Sequence, residues 1–229
     1  MRIHILQHEL FEEPGYILQW AQERHFEVSF TRFHMLESLP DHSAYDMLVI
    51  MGGPMSVHDE DKYLWLSGEK EFIRQAIAAN KKIVGVCLGS QLLAQVMGSR
   101  VYRNRWKEIG FYDVCRTDTV HPVLEGLPSQ FTAFHWHGDT YDLPPGCVLL
   151  YRSEACENQA YIWQNRVLGL QFHLEVTPEL LHLFLDNADE ELQENSPFIQ
   201  SAAEMLKKKH ILPEINGILG RMIDNFIRN

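Results

Sequence analysis

The 229 residues are 45% hydrophobic and 22% charged, close to globular averages, so one α/β unit with a buried core is affordable. Twenty Lys and Arg against 31 Asp and Glu leave a net charge of −11, which argues against a general nucleic-acid or anionic-membrane partner. No apolar run approaches the ~18 residues of a membrane span, and the four cysteines form no C-x-x-C pair, so free thiols in a reducing, cytoplasmic setting are expected.

The opening "MRIHILQHELFEEPG" has no long apolar stretch and reads as a first strand followed by a loop, not as a secretion signal. "PGYILQWAQERHF" has helical spacing, with Tyr16, Ile17, Trp20 and Ala21 on one side. "EVSFTRF" alternates as a strand does, and "YDMLVIMGG" is a continuously apolar strand that ends in glycines. A helix over "YLWLSGEKEFIRQAIAAN" follows, with Asn80 near its end, then the strand "KKIVGVC" and the helix "SQLLAQVMG". Apolar strands alternating with helices predict a Rossmann-like or flavodoxin-like, mostly parallel sheet with helices on both faces.

From about Ile109 the texture changes to strands in quick succession, "IGFYDVCRT", "FTAFHWHGDTYDLP", "CVLLYRSE", "QAYIWQN" and "RVLGLQFH". Gly, Pro and Asn turns between them predict a smaller antiparallel section. "TPELLHLFLDNADEELQ" then opens a helix, with Thr177 as N-cap, Pro178 at the first helical position and Glu179 at the positive end. The last ~30 residues have a helical pattern broken near "ILPEING". The expected division is a main unit over residues 1–190 and a helical extension over 191–229 packed on it.

Three places could carry chemistry. In "GVCLG", Cys87 stands between a strand and a helix, with Gly85 and Gly89 two residues away on either side. A nucleophile on so tight a turn needs neighbours without a Cβ, and the turn aims the Leu88 amide and a helix N-terminus at the reacting atom. The alternative is a small buried thiol, since free Cys is among the most buried residue types. In "LGLQFHLEVTPE", His173 and Glu175 lie two apart on a strand end and point to one side, as a base and its orienting acid would. A surface pair or a core histidine has the same pattern. In "VIMGGPMS", Gly52-Gly53-Pro54 suits a backbone amide presented to an anion.

These motifs, with His135-Trp136-His137-Gly138-Asp139 between them, occur in an order that resembles the class I (triad) glutamine amidotransferases, in particular the standalone GMP-synthase-like ones. The resemblance covers about residues 1–185. It implies hydrolysis of the γ-amide of glutamine through a thioester, with Cys87 as nucleophile, His173 as base and acid, and Glu175 as orienting acid. It further implies that the Gly53 and Leu88 amides form the oxyanion hole. Gln91, one helical turn after Cys87, would meet the amino-acid end of the substrate, and His137, Gly138 and Asp139 would help line that pocket. The family usually has proline between the histidine and the glutamate, where this chain has Leu174. Proline there stiffens the strand end but donates no chemistry, so the relay is expected to survive.

Other readings stay open at this level. His135 and His137, with His173 and Glu175, could offer four ligands to zinc, although twelve histidines make chance pairs common. No metal or cofactor is assigned. A non-catalytic small-molecule binding module lacks any G-x-x-x-x-G-K-[ST] loop to support it. The same triad could instead cleave a γ-glutamyl peptide or conjugate. No ATP-site motif is found, so transfer of ammonia to an acceptor would call on a partner synthetase.

Overall fold

The computed structural model describes residues 1–188 and 191–229. The division expected after residue 190, and part of the helix read through "NADEELQ", fall on Asp189 and Glu190, outside the described residues.

One nine-stranded sheet runs through the molecule in the order β2-β1-β3-β4-β9-β8-β7-β5-β6. Its strands are β1 (Arg2–Gln7), β2 (Glu27–Arg32), β3 (Met47–Ile50), β4 (Lys82–Val86), β5 (Val101–Arg116), β6 (Gln130–Tyr141), β7 (Val148–Arg152), β8 (Ala160–Trp163) and β9 (Val167–Leu170). From β2 to β9 every pairing is parallel. From β9 to β6 every pairing is antiparallel, so the antiparallel section is as large as the parallel one.

The parallel strands are apolar throughout because both faces are covered. Ile3, Ile5, Val49, Val84 and Val86 point into one core, and Leu6, Leu48, Ile50 and Ile83 into the other, as the two-residue period of a strand requires. The second core is closed by α2 (Trp65–Ala78) and α3 (Leu88–Val96). The first is closed by α1 (Tyr16–Glu23), α4 (Pro178–Asp186) and the tail, where a short α5 (Ala202–Lys208) leads through one 3-10 turn into α6 (Leu212–Arg228). Thr177 caps α4 as expected, its side chain accepting from the Leu180 amide. Asn80 ends α2 with a φ of 58°, the left-handed turn that asparagine tolerates.

Two differences from the sequence-based expectation have physical causes. The fifth strand begins at Val101, eight residues before the apolar signal, because "VYRNRWKE" pairs with β6 only through Val101–Arg103 and Glu108, across a break in register, and is mostly unburied between its ends. The tail contributes Leu212, Ile215, Leu219, Met222, Ile223 and Phe226 to the main core. Its buried Asn216 donates to the carbonyls of Leu174 (2.7 Å) and Val176 (3.0 Å), so α6 clasps the backbone on either side of Glu175. Asp224 adds an ion pair to Arg24 at 2.6 Å. Among the described residues no helix is long and apolar enough to cross a membrane.

Candidate active site

The β4–α3 junction is a single residue, Cys87, with φ 49° and ψ −108°. A non-glycine residue in that region costs about 1–3 kcal/mol, a strain the surrounding packing must hold. The flanking glycines are obligatory by space. A Cβ on Gly85 would lie 2.6 Å from the Gly89 backbone, and one on Gly89 would lie 2.2 Å from the Ile50 carbonyl oxygen. Cys87 is only 5% exposed, yet it lines the wall of a pocket. Its thiol donates to the Trp136 carbonyl at 3.5 Å and accepts from Gln171 Nε2 at 3.7 Å.

His173 and Glu175 follow β9. The His173 amide is fixed by the Phe134 carbonyl at 2.7 Å, and its imidazole is packed by the rings of Phe134 and Phe184. Nδ1 lies 2.6 Å from Glu175 Oε1, and both side chains are buried. Burial works against charge on His173, but the Glu175 carboxylate and the Cys87 thiol outweigh it and hold its pKa well above the ordinary imidazole value. Among the described residues Nε2 meets no group at hydrogen-bonding geometry, while the imidazole and the Cys87 thiol shift each other's ionisation. Burial pushes the thiol up, against the pull of His173. Among the described residues, the amides of Gly53 and Leu88 donate to no protein group.

The pocket encloses about 280 Å³, at the low end for small-molecule sites. Gly53, Cys87, Gln91, His137, Gly138 and Asp139 all line it. Gln91 Nε2 donates to Gln171 Oε1 (3.1 Å) and to the Asp139 carbonyl (3.3 Å), and His137 Nδ1 donates to that same carbonyl at 3.0 Å. Glu12, Trp136, Gln171 and Lys107 were not singled out from the sequence. Gln171 stands inside the quoted motif, whereas nothing local marks Glu12. Its carboxyl is buried on the pocket wall, and Oε2 has no partner among the described residues. Burial raises its pKa to about 7, with His173 pulling down and Glu175 pushing up. Lys107 also lines the pocket and is held by Glu191 and Glu194.

The four zinc ligands weighed from the sequence do not gather. His135 and His137 share a side of β6, as alternation predicts, but they converge on Glu108 Oε2 at 3.5 and 3.1 Å rather than on His173 and Glu175. Gln159 and Ser153 also donate to that oxygen, at 2.7 and 3.3 Å. Burial opposes the charge on Glu108, but these neighbours reverse it and bring its pKa down to about 2.

The family model for class-I glutamine amidotransferases matches residues 16–187. The chain belongs to this family. The glutamine amidotransferase-like protein YfeJ of Salmonella typhimurium is 35% identical over 232 residues, covering 98% of this chain and 96% of YfeJ. The glutamine-hydrolyzing GMP synthase of Thermomicrobium roseum is 35% identical over 130 residues, 56% of this chain but only 23% of that enzyme. Among solved structures, a glutamine amidotransferase from Thermotoga maritima superposes with a TM-score of 0.91 at 27% identity, covering 100% of this chain and 99% of its own. One from Methylobacillus flagellatus gives 0.93 at 30% identity, covering 99% and 94%. The amidotransferase fold is thus the flavodoxin-like α/β fold expected, with the mixed sheet described above.

Proposed function

We propose that this amidotransferase hydrolyses the γ-amide of glutamine through a Cys87-His173-Glu175 triad and a γ-glutamyl thioester. The observation that carries the reading is the unpartnered Nε2 of His173, oriented by Glu175 and electrically coupled to a thiol on a strained elbow. In this reaction the thiol proton passes to Nε2 as Sγ bonds to the carbonyl carbon of the γ-amide, and the carbonyl electrons move onto oxygen. The unpaired Gly53 and Leu88 amides would receive that oxyanion. Collapse breaks the C–N bond, His173 returns the proton to the departing nitrogen, and ammonia leaves. Water then attacks the thioester with His173 as base, giving glutamate and the free thiol.

Gln91, held by Gln171 and the Asp139 carbonyl, would meet the amino-acid end of glutamine, with His137, Gly138 and Asp139 lining that end. Residues 1–190 would act as the amidotransferase unit and 191–229 as its extension, in the cytoplasm where the four free thiols stay reduced. The likeness to GMP synthases supports a partner synthetase as receiver of the ammonia. The test is a substrate panel of glutamine against γ-glutamyl peptides, with wild type and Cys87→Ala. Release of glutamate from glutamine, lost in Cys87→Ala, supports the reading. Cleavage of γ-glutamyl peptides alone would replace it with a γ-glutamyl hydrolase.

A further inference from the structure

His8 and Glu69 lie outside the triad and outside every motif named from the sequence, yet they form a fully buried pair directed at the glycine turn. His8 follows β1, and Glu69 sits on the inner face of α2. His8 Nε2 is 2.9 Å from Glu69 Oε1, and His8 Nδ1 is 2.8 Å from the carbonyl oxygen of Gly52. Both side chains are completely buried, and the imidazole packs against the mutually stacked rings of Phe33 and Trp65, 5.5 Å from each. Packing of this kind fixes the ring plane, and two hydrogen bonds fix its rotation.

The carbonyl that His8 grips belongs to the same peptide plane as the Gly53 N–H. In a trans peptide the C=O and N–H vectors are antiparallel, so whatever fixes one fixes the other. A Gly-Gly peptide has few steric preferences of its own and could rotate about the bonds that flank it. Gly53 is also packed close to His8, since a Cβ there would lie 3.2 Å from His8 Cβ and 2.9 Å from Leu88 Cδ2. The Gly53 amide itself donates to no protein group among the described residues. Its direction is therefore held only from the carbonyl side.

We infer that His8, itself braced by Glu69, is a positioning residue that locks the Gly52–Gly53 peptide with its N–H turned toward the reacting carbonyl of the substrate. The inference rests on the proposed reading of Gly53 as an oxyanion donor and adds the device that aims it. Burial alone would strip the charge from His8. The Glu69 carboxylate and the Gly52 carbonyl outweigh it and keep its pKa above the ordinary imidazole value. Each ring nitrogen faces an oxygen acceptor, so each is placed to donate.

The experiment compares His8→Phe, which keeps the stacking ring but has no donor, with His8→Asn, whose Nδ2 can reach the position of Nδ1. Both are made with Glu69→Leu, so that no buried carboxylate is orphaned, and Glu69→Leu alone is the reference. The substrates are glutamine and γ-glutamyl p-nitroanilide. A misaimed oxyanion donor predicts a kcat for His8→Phe lower by roughly 10- to 1,000-fold, with KM changed less than about threefold. Alkylation of Cys87 by iodoacetamide, which uses no oxyanion hole, should stay within about twofold of the reference, and His8→Asn should recover most of the kcat. An unchanged kcat in His8→Phe overturns the inference, as does a loss of alkylation in step with kcat. A crystal structure of the His8→Phe variant decides the point apart from activity. A rotated Gly52–Gly53 peptide is expected, and an unrotated one refutes the positioning role. If even wild type hydrolyses neither substrate, the proposed function has failed, while the peptide orientation still tests this inference.

Discussion

Replacing Glu12 by glutamine separates a buried acid from the shape it fills. The Glu12 carboxyl is enclosed on the pocket wall with Oε2 unpartnered, and burial lifts its pKa from 4.5 to about 7. An acid whose pKa rises on folding binds its proton more tightly in the folded chain. Its contribution to stability is complete below about pH 4.5 and is lost as the pH climbs through about 7. A shift of roughly 2.5 units at about 1.4 kcal/mol each gives a loss of about 3 kcal/mol across that window. Glutamine has the same size and does not titrate, so Glu12→Gln removes this slope while the other groups go on titrating. Urea unfolding of both proteins from about pH 4.5 to about pH 8 is the assay. The stability of Glu12→Gln relative to wild type should rise by about 3 kcal/mol over that range. A difference constant to within about 0.5 kcal/mol would show that Glu12 stays ionised in the folded protein.

Three further outcomes follow from the geometry. Glu175→Gln removes the charge that holds the His173 pKa up, so kcat should fall by roughly 10²- to 10⁴-fold, and the acid limb of the pH–rate profile should move to lower pH; steady-state kinetics across pH reads both. Asn216→Leu leaves the carbonyls of Leu174 and Val176 without their buried donor and should cost about 2–4 kcal/mol in chemical denaturation, with kcat falling more than KM rises because Glu175 lies between them. Gly89→Ala would put a methyl 2.2 Å from the Ile50 carbonyl oxygen. Backbone cannot rotate aside as a side chain can, so a loss of at least about 3 kcal/mol is expected by thermal or urea unfolding.

What the sequence made legible was what local constraints encode. Gly85 and Gly89 announce the elbow because each stands where a Cβ would strike backbone. His173 and Glu175 announce their pairing by their two-residue spacing, although both lie past the end of β9 rather than on the strand itself. Thr177-Pro178-Glu179 marks the start of α4 for equally local reasons. What escaped depends on segments distant in sequence meeting in space. Glu12 acquires its buried setting from the Gly52 turn and from His173 and Glu175, and nothing in "HELFEEPG" encodes either neighbour. His8 and Glu69 are 61 residues apart and meet only because α2 packs over the sheet. The start of β5 is not legible because its pairing with β6 is broken between Arg103 and Glu108 and its mostly unburied residues show no clean apolar alternation. Leu174 is a middle case. A buried apolar side chain takes the place where the family usually has proline, and the clasp that steadies its carbonyl comes from Asn216 in the tail.

The central claim is that Cys87 forms the covalent intermediate of glutamine hydrolysis. Mass spectrometry of the protein, acid-quenched during turnover of glutamine and digested, tests it most directly. The account predicts ammonia and glutamate in equal amounts, a γ-glutamyl adduct on the peptide that contains Cys87, and neither product nor adduct with Cys87→Ala. Ammonia release that survives in Cys87→Ala, or an adduct on any other residue, would contradict it.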